Sequence, residues 1–369
     1  MNEIRKIRIS DIPALLEDTA FWEHEFLSVS RHRLYSHYKN PNAQPDDLVL
    51  LLAYTNSELV GYMGVFTDKV VLDGKTNKIG WLSTWWVHPK TKGSGIGREI
   101  LNTMYESLNG QIGISQFTPS AKRVYDKSGY FYTLKDNLGM KAVLRSNLGF
   151  VVPAVFPKSK PLWPLFDAVD SFLNIFINCR LSFQKIHLRR QLKGVQVDYL
   201  NRIDAETEQV IRSHDKNHIS PKTNAFFEWL KAWNWVQESP LLGLTNKSQY
   251  EFSIYDRKFN IYLMKIVTKG KCIGFLVLQR RNYVCKILFS YADARHAGTI
   301  ANVIKLQCMQ QNVREIICYD EAINRHLNQS FVFLYKTKKV KQSIISKVFQ
   351  KQDFDDTVMN FGDGDCSFA

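Results

Sequence analysis

The feature that most constrains the fold of this chain is a stretch that changes from strand-like to helix-like through a loop rich in glycine. Residues 81–87 predict a strand that ends before Pro89, and apolar side chains at helical spacing follow at Ile100 and Met104. Three alternate glycines lie between the two elements, at Gly93, Gly95 and Gly97. Such a loop leaves backbone amides unpaired at the positive end of a helix, where phosphate oxygens bind.

Two well-known phosphate-binding loops do not fit this spacing. A P-loop has Lys followed by Ser or Thr after its last glycine, whereas Arg98 and Glu99 follow Gly97 in this chain. The dinucleotide-binding loop has its third glycine three positions after the second, and Arg98 occupies that position here. The spacing therefore excludes both of these loops.

The stretch resembles the acyl-CoA-binding signature of the GNAT superfamily of N-acetyltransferases, which is written Arg/Gln-x-x-Gly-x-Gly/Ala. Lys92, Gly95 and Gly97 fall on its positions, with lysine in place of arginine or glutamine. Residues 120–130 are similar to a second family segment, Ala-x-x-x-Tyr-x-Lys-x-Gly-Phe, with Tyr130 in place of the phenylalanine. The two matches occur in the order that the family has, which makes them far more specific together than either is alone.

The resemblance implies a binding site for acetyl-CoA as the co-substrate. Amides of the loop would bind the pyrophosphate of coenzyme A, and the preceding strand would pair with its pantetheine amides. The implied cofactor-binding residues are Trp86, Val87, Lys92, Gly93, Ser94, Gly95, Ile96, Gly97 and Arg98. No metal is expected, because no group of His, Cys and Asp has the spacing of metal ligands.

Tyr125 is the catalytic residue that the resemblance implies. The family often places a tyrosine here with its hydroxyl near the sulfur, where it can protonate the departing thiolate. The alternative role for Tyr125 is that of an aromatic side chain packed beneath the cofactor. A base that deprotonates the amine is not assigned, although His24, Glu25 and His88 are candidates.

The order of predicted elements also matches the GNAT fold, which is an α/β fold with a mixed sheet. The resemblance covers residues 1–145, whose pattern predicts strand, two helices, three strands, helix, strand, helix and a closing strand around 130–134. Residues 271–278 repeat the pattern of residues 58–65, each after an apolar strand and a polar turn. We therefore predict two tandem GNAT-like domains.

The second copy is expected to have lost its cofactor site, because Gly298 alone remains where the glycine loop would be. The predicted domains are a GNAT acetyltransferase domain over 1–149, a linker over 150–193 and a degenerate GNAT-like domain over 194–369. The linker contains a helical pattern at 165–177 with a broad apolar face, followed by basic residues. This helix packs between the domains or touches a membrane surface, and the acidic residues Asp167 and Asp170 favour packing.

Composition narrows the class of protein. With 369 residues, 45% hydrophobic and 23% charged, the chain has the length for two domains of roughly 100 to 200 residues each. Its formal net charge of +14 suits anionic ligands such as coenzyme A, as well as nucleic acid or a membrane surface. No apolar run of about 18 residues is present, and the N-terminus lacks the apolar core of a signal peptide, so a cytoplasmic protein is expected.

The cysteines give no sign of disulfides, zinc or a covalent intermediate. All six lie at or beyond Cys179, and none forms a Cys-x-x-Cys pair, which predicts buried thiols. Residues 1–149 contain no cysteine that could be acylated. Absence of such a nucleophile agrees with the direct transfer that the resemblance implies.

The predicted function is transfer of an acetyl group from acetyl-CoA to a primary amine of a small molecule or a sugar precursor. One alternative is a non-catalytic scaffold protein that binds acyl-CoA or a polyanion. Another is an aminoacyl transferase that uses charged tRNA, since duplicated GNAT-like folds occur there and the chain is basic. The intact glycine loop speaks against nucleic acid as the partner.

Overall fold

A mixed β-sheet of twelve strands runs through the part of the chain that the computed structural model describes, which is residues 2–22, 28–91, 93–233, 259–349, 354 and 356–365. Lys92, His24 and Glu25 lie outside these residues. The strands are β1 (Asn2–Arg8), β2 (Leu48–Thr55), β3 (Glu58–Leu72), β4 (Lys75–Val87), β5 (Ile112–Ile114), β6 (Phe131–Val143), β7 (Val195–Leu200), β8 (Phe259–Thr268), β9 (Lys271–Arg281), β10 (Val284–Ala292), β11 (Glu315–Cys318) and β12 (Tyr335–Ser346).

Helices connect these strands, and the described part of the first half follows the predicted order except that three helices, rather than two, lie between β1 and β2. They are α1 (Ile12–Glu17), α2 (Thr19–Trp22), α3 (Arg31–Tyr38), α4 (Ile96–Ser107), α5 (Pro119–Ser128), α6 (Leu148–Val155), α7 (Trp163–Gln191), α8 (Ala205–His214), α9 (Asn224–Ala232), α10 (Ala297–Gln310) and α11 (Glu321–Asn328). The predicted helix at 165–177 is part of α7, which is longer at both ends. Within the described ranges, no helix is long and apolar enough to cross a membrane.

The strand order shows that the sheet has two equivalent halves. From one edge to the other it is β1-β2-β3-β4-β5-β12-β6-β11-β10-β9-β8-β7. Strands β1 to β5 therefore follow one another in chain order from one edge of the sheet toward its centre. Strands β7 to β11 do the same from the other edge. This arrangement confirms the predicted fold class, a mixed sheet formed by two tandem GNAT-like halves.

The two halves exchange their last strands at the centre of the sheet. Strand β12 lies between β5 and β6, and it pairs with β6 from Tyr335 opposite Val143 to Ser346 opposite Phe131. On its other side, β6 pairs with β11. The closing strand predicted at 130–134 is thus the beginning of a longer strand that binds the second half. Hydrogen bonds between main chains, rather than side-chain packing alone, join the halves.

A shared aromatic cluster joins the halves on one face of the sheet. It takes side chains from β3 and β4, from α9 and β10, and from the C-terminal segment. Its members include Phe66, Trp81, Phe226, Phe289 and Phe361. Leu82, which follows Trp81 on β4, belongs to another cluster with α4 and α5. Because successive strand residues point to opposite faces, the aromatic cluster and helices α4 and α5 lie on opposite sides of β4.

The predicted burial of the thiols holds for three of the described cysteines and is wrong for Cys179 and the half-buried Cys272. Cys285, Cys308 and Cys318 are buried, and all five cysteines in the described ranges are free, including the exposed Cys179. No cluster of His, Cys, Asp and Glu among the described residues is suited to a metal ion.

The strand exchange predicts that residues 1–149 do not fold alone. Without β12, strand β5 keeps only its two residue pairs with β4, and β6 loses both of its neighbours in the sheet. We expect this fragment to show no cooperative thermal transition by circular dichroism, whereas the full-length chain, which also contains residues 150–369, is expected to show one. A cooperative transition of the 1–149 fragment by itself would contradict the interpretation.

Candidate functional site

The loop between β4 and α4 is folded by hydrogen bonds that leave the helix N-terminus open. The amide of Thr91 donates to the carbonyl of His88 at 3.0 Å, and the amide of Ser94 donates to the carbonyl of Thr91 at 3.0 Å. Two tight turns therefore bring the chain to Gly95, which precedes α4 with φ of +89°. Since this φ lies in the left-handed region, glycine is the residue that reaches it without strain.

Three amides at the start of α4 remain available to a ligand. No hydrogen bond from the amides of Ile96, Gly97 or Arg98 exists in the described chain, and no side chain caps the helix. A Cβ at Gly95 would have no protein atom within 4 Å, so space lies open beside this turn. Converging amides at the positive end of a helix form a site for an anion such as a diphosphate.

The other predicted loop residues take separate places around these amides. Gly93 is exposed with φ of +88°, and Arg98 is exposed on α4. The Ser94 amide is already used within the loop, as is its hydroxyl, which donates to the carbonyl of Thr91. The Ile96 side chain is buried, so its contribution to a ligand is confined to its amide.

A fork between β4 and β5 lies next to the loop. These parallel strands pair at Gly80 with Ile112 and at Trp81 with Gly113, and then they part. Strand β4 continues to Val87, and its register with β3 shifts beyond Tyr62, where Thr84 has φ of +42°. The side of β4 that faces the fork meets no further strand in the described chain. An extended ligand with amide groups can occupy such an edge.

The aromatic residues of β4 connect the loop to the fork. The ring of Trp85 lies 3.4 Å from the position of a Cβ on Gly97, and its centroid is 5.3 Å from that of Tyr125. Trp86 points to the opposite face, where it stacks on Tyr62 with 5.2 Å between ring centroids. The backbone of β4, rather than the Trp86 ring, is therefore the part of this strand that follows the fork.

Tyr125 lies in the fork on the side of α4 and α5. Thr118 caps α5 by accepting the amide of Ala121, and Tyr125 follows two turns later with 4% of its surface exposed. Phe131 contacts it edge-on, with 5.5 Å between ring centroids. Burial raises the pKa of the Tyr125 phenol, and the negative charge of Asp365 raises it further. The phenol therefore keeps its proton at neutral pH.

Asp365 is the site residue that the sequence did not reveal. Ser115, directly after β5, donates its hydroxyl to the Asp365 carboxylate at 2.5 Å. Gly364 lies against both Ser115 and Trp81, so the C-terminal segment reaches the fork from the face that bears the aromatic cluster. The sole sequence signal was the Gly-Asp-Gly-Asp pattern of 362–365, which predicts a turn but not its location 250 residues away from Ser115.

The environment of Asp365 affects its acidity. Burial raises the pKa of its carboxyl, while the hydrogen bond from Ser115 and the positive charges of Arg33 and Lys341 oppose that shift. Arg33 comes from α3 and Lys341 from β12, so both halves of the chain contribute to the site. A carboxyl with a raised pKa is a better proton acceptor than one in water.

The equivalent fork of the second half is filled by the protein. Strands β10 and β11 pair from Val284 to Lys286 and then part. The amide of Gly362 donates to the carbonyl of Leu288 in β10 at 2.8 Å, and the Phe361 ring stacks on Tyr319. The C-terminal segment thus occupies the edge that an extended ligand would use in the first half.

Comparisons with known proteins agree with a GNAT-like fold. Residues 3–133 match the family model described as an acetyltransferase (GNAT) domain. A GCN5-related N-acetyltransferase from Kribbella flavida aligns with 10% identity over 93% of this chain and 71% of its own, with a TM-score of 0.50. A conserved protein from Enterococcus faecalis V583 aligns with 8% identity over 93% of this chain and 72% of its own, also with a TM-score of 0.50. Curated protein sequences give no significant match. At these identities the structural likeness concerns the fold alone.

The open turn at Gly95 generates a prediction with a matched control. Gly95→Ala adds a methyl group beside the amides of α4, and we expect it to weaken coenzyme A binding at least tenfold by isothermal titration calorimetry. Gly74→Ala is the control, because Gly74 has φ of +70° and an equally open Cβ position but lies in the turn between β3 and β4. Both variants carry similar backbone strain, about 1–2 kcal/mol. Equal coenzyme A affinities in the two variants would contradict the assignment of the loop.

Proposed function

We propose that this protein is an N-acyltransferase that moves an acetyl group from acetyl-CoA to a primary amine. The match of residues 3–133 to the GNAT acetyltransferase family model supports this proposal. The observation that carries the proposal is the set of three available amides at the start of α4, directly beside the fork between β4 and β5. The acceptor is proposed to be an amine on a small molecule or a sugar precursor. Since acyl-CoA is the donor, we expect the protein to work in the cytoplasm.

Acetyl-CoA fits the site as an extended substrate. Its pyrophosphate would bind the amides of Ile96, Gly97 and Arg98, with the Arg98 guanidinium close enough in sequence to add positive charge. Its pantetheine arm would follow the edge of β4 from Val87 toward Trp81. The thioester would then lie in the fork, where amides of the parting strand can polarise the carbonyl.

The fork can be approached from both faces of the sheet, which suits a direct transfer between a thioester on one face and an amine on the other. Tyr125 belongs to the face of α4 and α5, and Asp365 approaches from the face of the aromatic cluster. A thioester held on one face meets an amine that enters from the other. The amine nitrogen attacks the carbonyl carbon, the carbon–sulfur bond breaks, and the acetyl group passes to nitrogen with no acyl-enzyme.

Two protons move during this transfer, and each has a candidate group. An amine in water is mainly protonated, so one proton must leave before its lone pair can attack. The Asp365 carboxylate attracts the ammonium group and is proposed to accept that proton. Tyr125, whose raised pKa keeps it protonated, is proposed to donate a proton to the departing thiolate. On forming the amide, the nitrogen loses its second proton, which returns the Tyr125 phenolate to the neutral phenol, and Asp365 releases its own proton to water.

The second half is proposed to have a structural role and not to bind acyl-CoA. Its loop after β10 is closed on itself, since Asp293 accepts a hydrogen bond from the amide of Arg295. Gly298 lies against the ring of His326, which leaves little room beside it. Together with the filled fork, these contacts support one acyl-CoA site for each chain.

Removal of the Tyr125 hydroxyl tests the proton donor. Tyr125→Phe keeps the buried ring and its contact with Trp85, so we expect coenzyme A affinity to change less than twofold while turnover falls by about 10²-fold. Tyr105→Phe is the control, since Tyr105 is a half-buried tyrosine of α4 that stacks on Tyr130 rather than on Tyr125. A turnover unchanged in Tyr125→Phe would reject the donor role.

Coenzyme A binding without transfer to any amine by the unaltered protein would favour a scaffold function instead.

Substitution of Asp365 tests the proton acceptor. Asp365→Asn retains an oxygen that can accept the Ser115 hydrogen bond but cannot take a proton at neutral pH. We expect turnover to fall by about 10²-fold, and we expect the rise of kcat/KM with pH to lose the limb that reports ionisation of Asp365. Asp356→Asn, an exposed aspartate of the same segment, is the control. An unaltered pH profile in Asp365→Asn would show that another group accepts the proton.

A further inference from the structure

Helices α6 and α7 present an apolar surface to solvent that no described part of the chain covers. Of the large hydrophobic side chains that are exposed, fourteen lie between residues 150 and 186. They are Phe150, Val151, Val155, Phe156, Leu162, Trp163, Leu165, Val169, Phe172, Leu173, Ile175, Phe176, Phe183 and Ile186. We call this set the α6–α7 face. Exposed apolar side chains in this number, on two helices that pack against each other, mark a site of interaction.

The opposite side of α7 is held firmly against the protein. Asp170 is completely buried and accepts hydrogen bonds from the amides of Leu148 and Gly149 and from the hydroxyl of Ser146. Leu181 and Leu188 pack into the core of the second half. The helix therefore has one buried side and one exposed side, and its exposed apolar residues are fixed in position.

Charge on and around this face is strongly positive. The side chains of Lys158, Lys160, Lys185, Arg189, Arg190 and Lys193 are exposed or half-buried. Between residues 148 and 193 the acidic residues are Asp167, which is exposed, and Asp170. From the sequence, both aspartates are expected to disfavour contact with an anionic surface. This prediction is wrong for Asp170, because its carboxylate is buried and accepts hydrogen bonds from amides at the N-terminus of α6.

A neighbouring loop extends the same face. Arg180 donates hydrogen bonds to the carbonyls of Phe331 and Val332, which ties this loop to α7. The Phe331 side chain is 91% exposed, and Leu334 and Tyr335 after it are also exposed. The apolar surface thus comes from two separate segments of the chain that a specific contact joins.

We propose that the α6–α7 face binds the surface of a membrane that contains anionic lipids. Helix α7, whose 29 residues span about 43 Å, would lie in the plane of the interface with its phenylalanines among the acyl chains. Lysines and arginines at its border would contact the lipid phosphates. A second copy of the chain is disfavoured as the occupant, because two such faces would bring like charges together.

Vesicle flotation of the full-length protein tests this proposal. We expect binding to vesicles of phosphatidylcholine with 30% phosphatidylglycerol, at least tenfold weaker binding to phosphatidylcholine alone, and loss of binding as salt is raised. Phe172→Gln combined with Phe176→Gln is expected to weaken binding at least tenfold, as is Lys158→Glu combined with Lys160→Glu. Leu138→Gln is the control, since Leu138 is 73% exposed on β6 and belongs to neither α6 nor α7 nor the loop at 331–335. Circular dichroism of each variant verifies folding.

Three outcomes would overturn the proposal. They are no binding to either type of vesicle, equal binding to both, and a stable dimer in light scattering that the Phe172→Gln and Phe176→Gln substitutions dissociate. The last result would assign the face to a second copy of the chain. None of these measurements depends on acyl transfer, so the membrane proposal and the proposed enzymatic function succeed or fail separately.

Discussion

The pairing of β12 with β6 is the interaction on which the rest of this structure depends. It joins the two halves into one sheet, and it brings the end of the chain from the second half to the centre of the first. The residues after β12 then pass the fork of the second half, where Gly362 binds Leu288, and reach Ser115 in the fork of the first. One segment thus closes one fork and supplies a carboxylate to the other.

This arrangement explains physically why the loop and the strand edge are open in one half of the duplicated fold and occupied in the other. The first half keeps a glycine turn with available amides and an open strand edge. In the second half, hydrogen bonds within the chain use the corresponding loop and edge. Charges that are distant in sequence also meet at Asp365, since the positive charge of Arg33 lowers the pKa of its carboxyl and its own negative charge raises the pKa of Tyr125.

Local patterns in the sequence predicted the local elements of the structure. The alternation of glycines around Gly95, the strand before it and the helix after it follow from short-range rules of conformation, and so does the fold class. The position of β12 and the contact of Asp365 with Ser115 did not follow, because strand partners are chosen by long-range pairing. The burial of Asp170 was missed for a related reason, since its partners at Leu148 and Gly149 face it only once α6 folds back on α7.

The most direct measurement is a crystal structure of the full-length protein with a non-hydrolysable analogue of acetyl-CoA. We expect one analogue for each chain, with its diphosphate on the amides of Ile96, Gly97 and Arg98 and its acetyl group between Tyr125 and Asp365. The hydrogen bond from Gly362 to Leu288 should remain in place. An analogue in the fork between β10 and β11, with the C-terminal segment displaced, would contradict the assignment of a single acyl-CoA site to the first half.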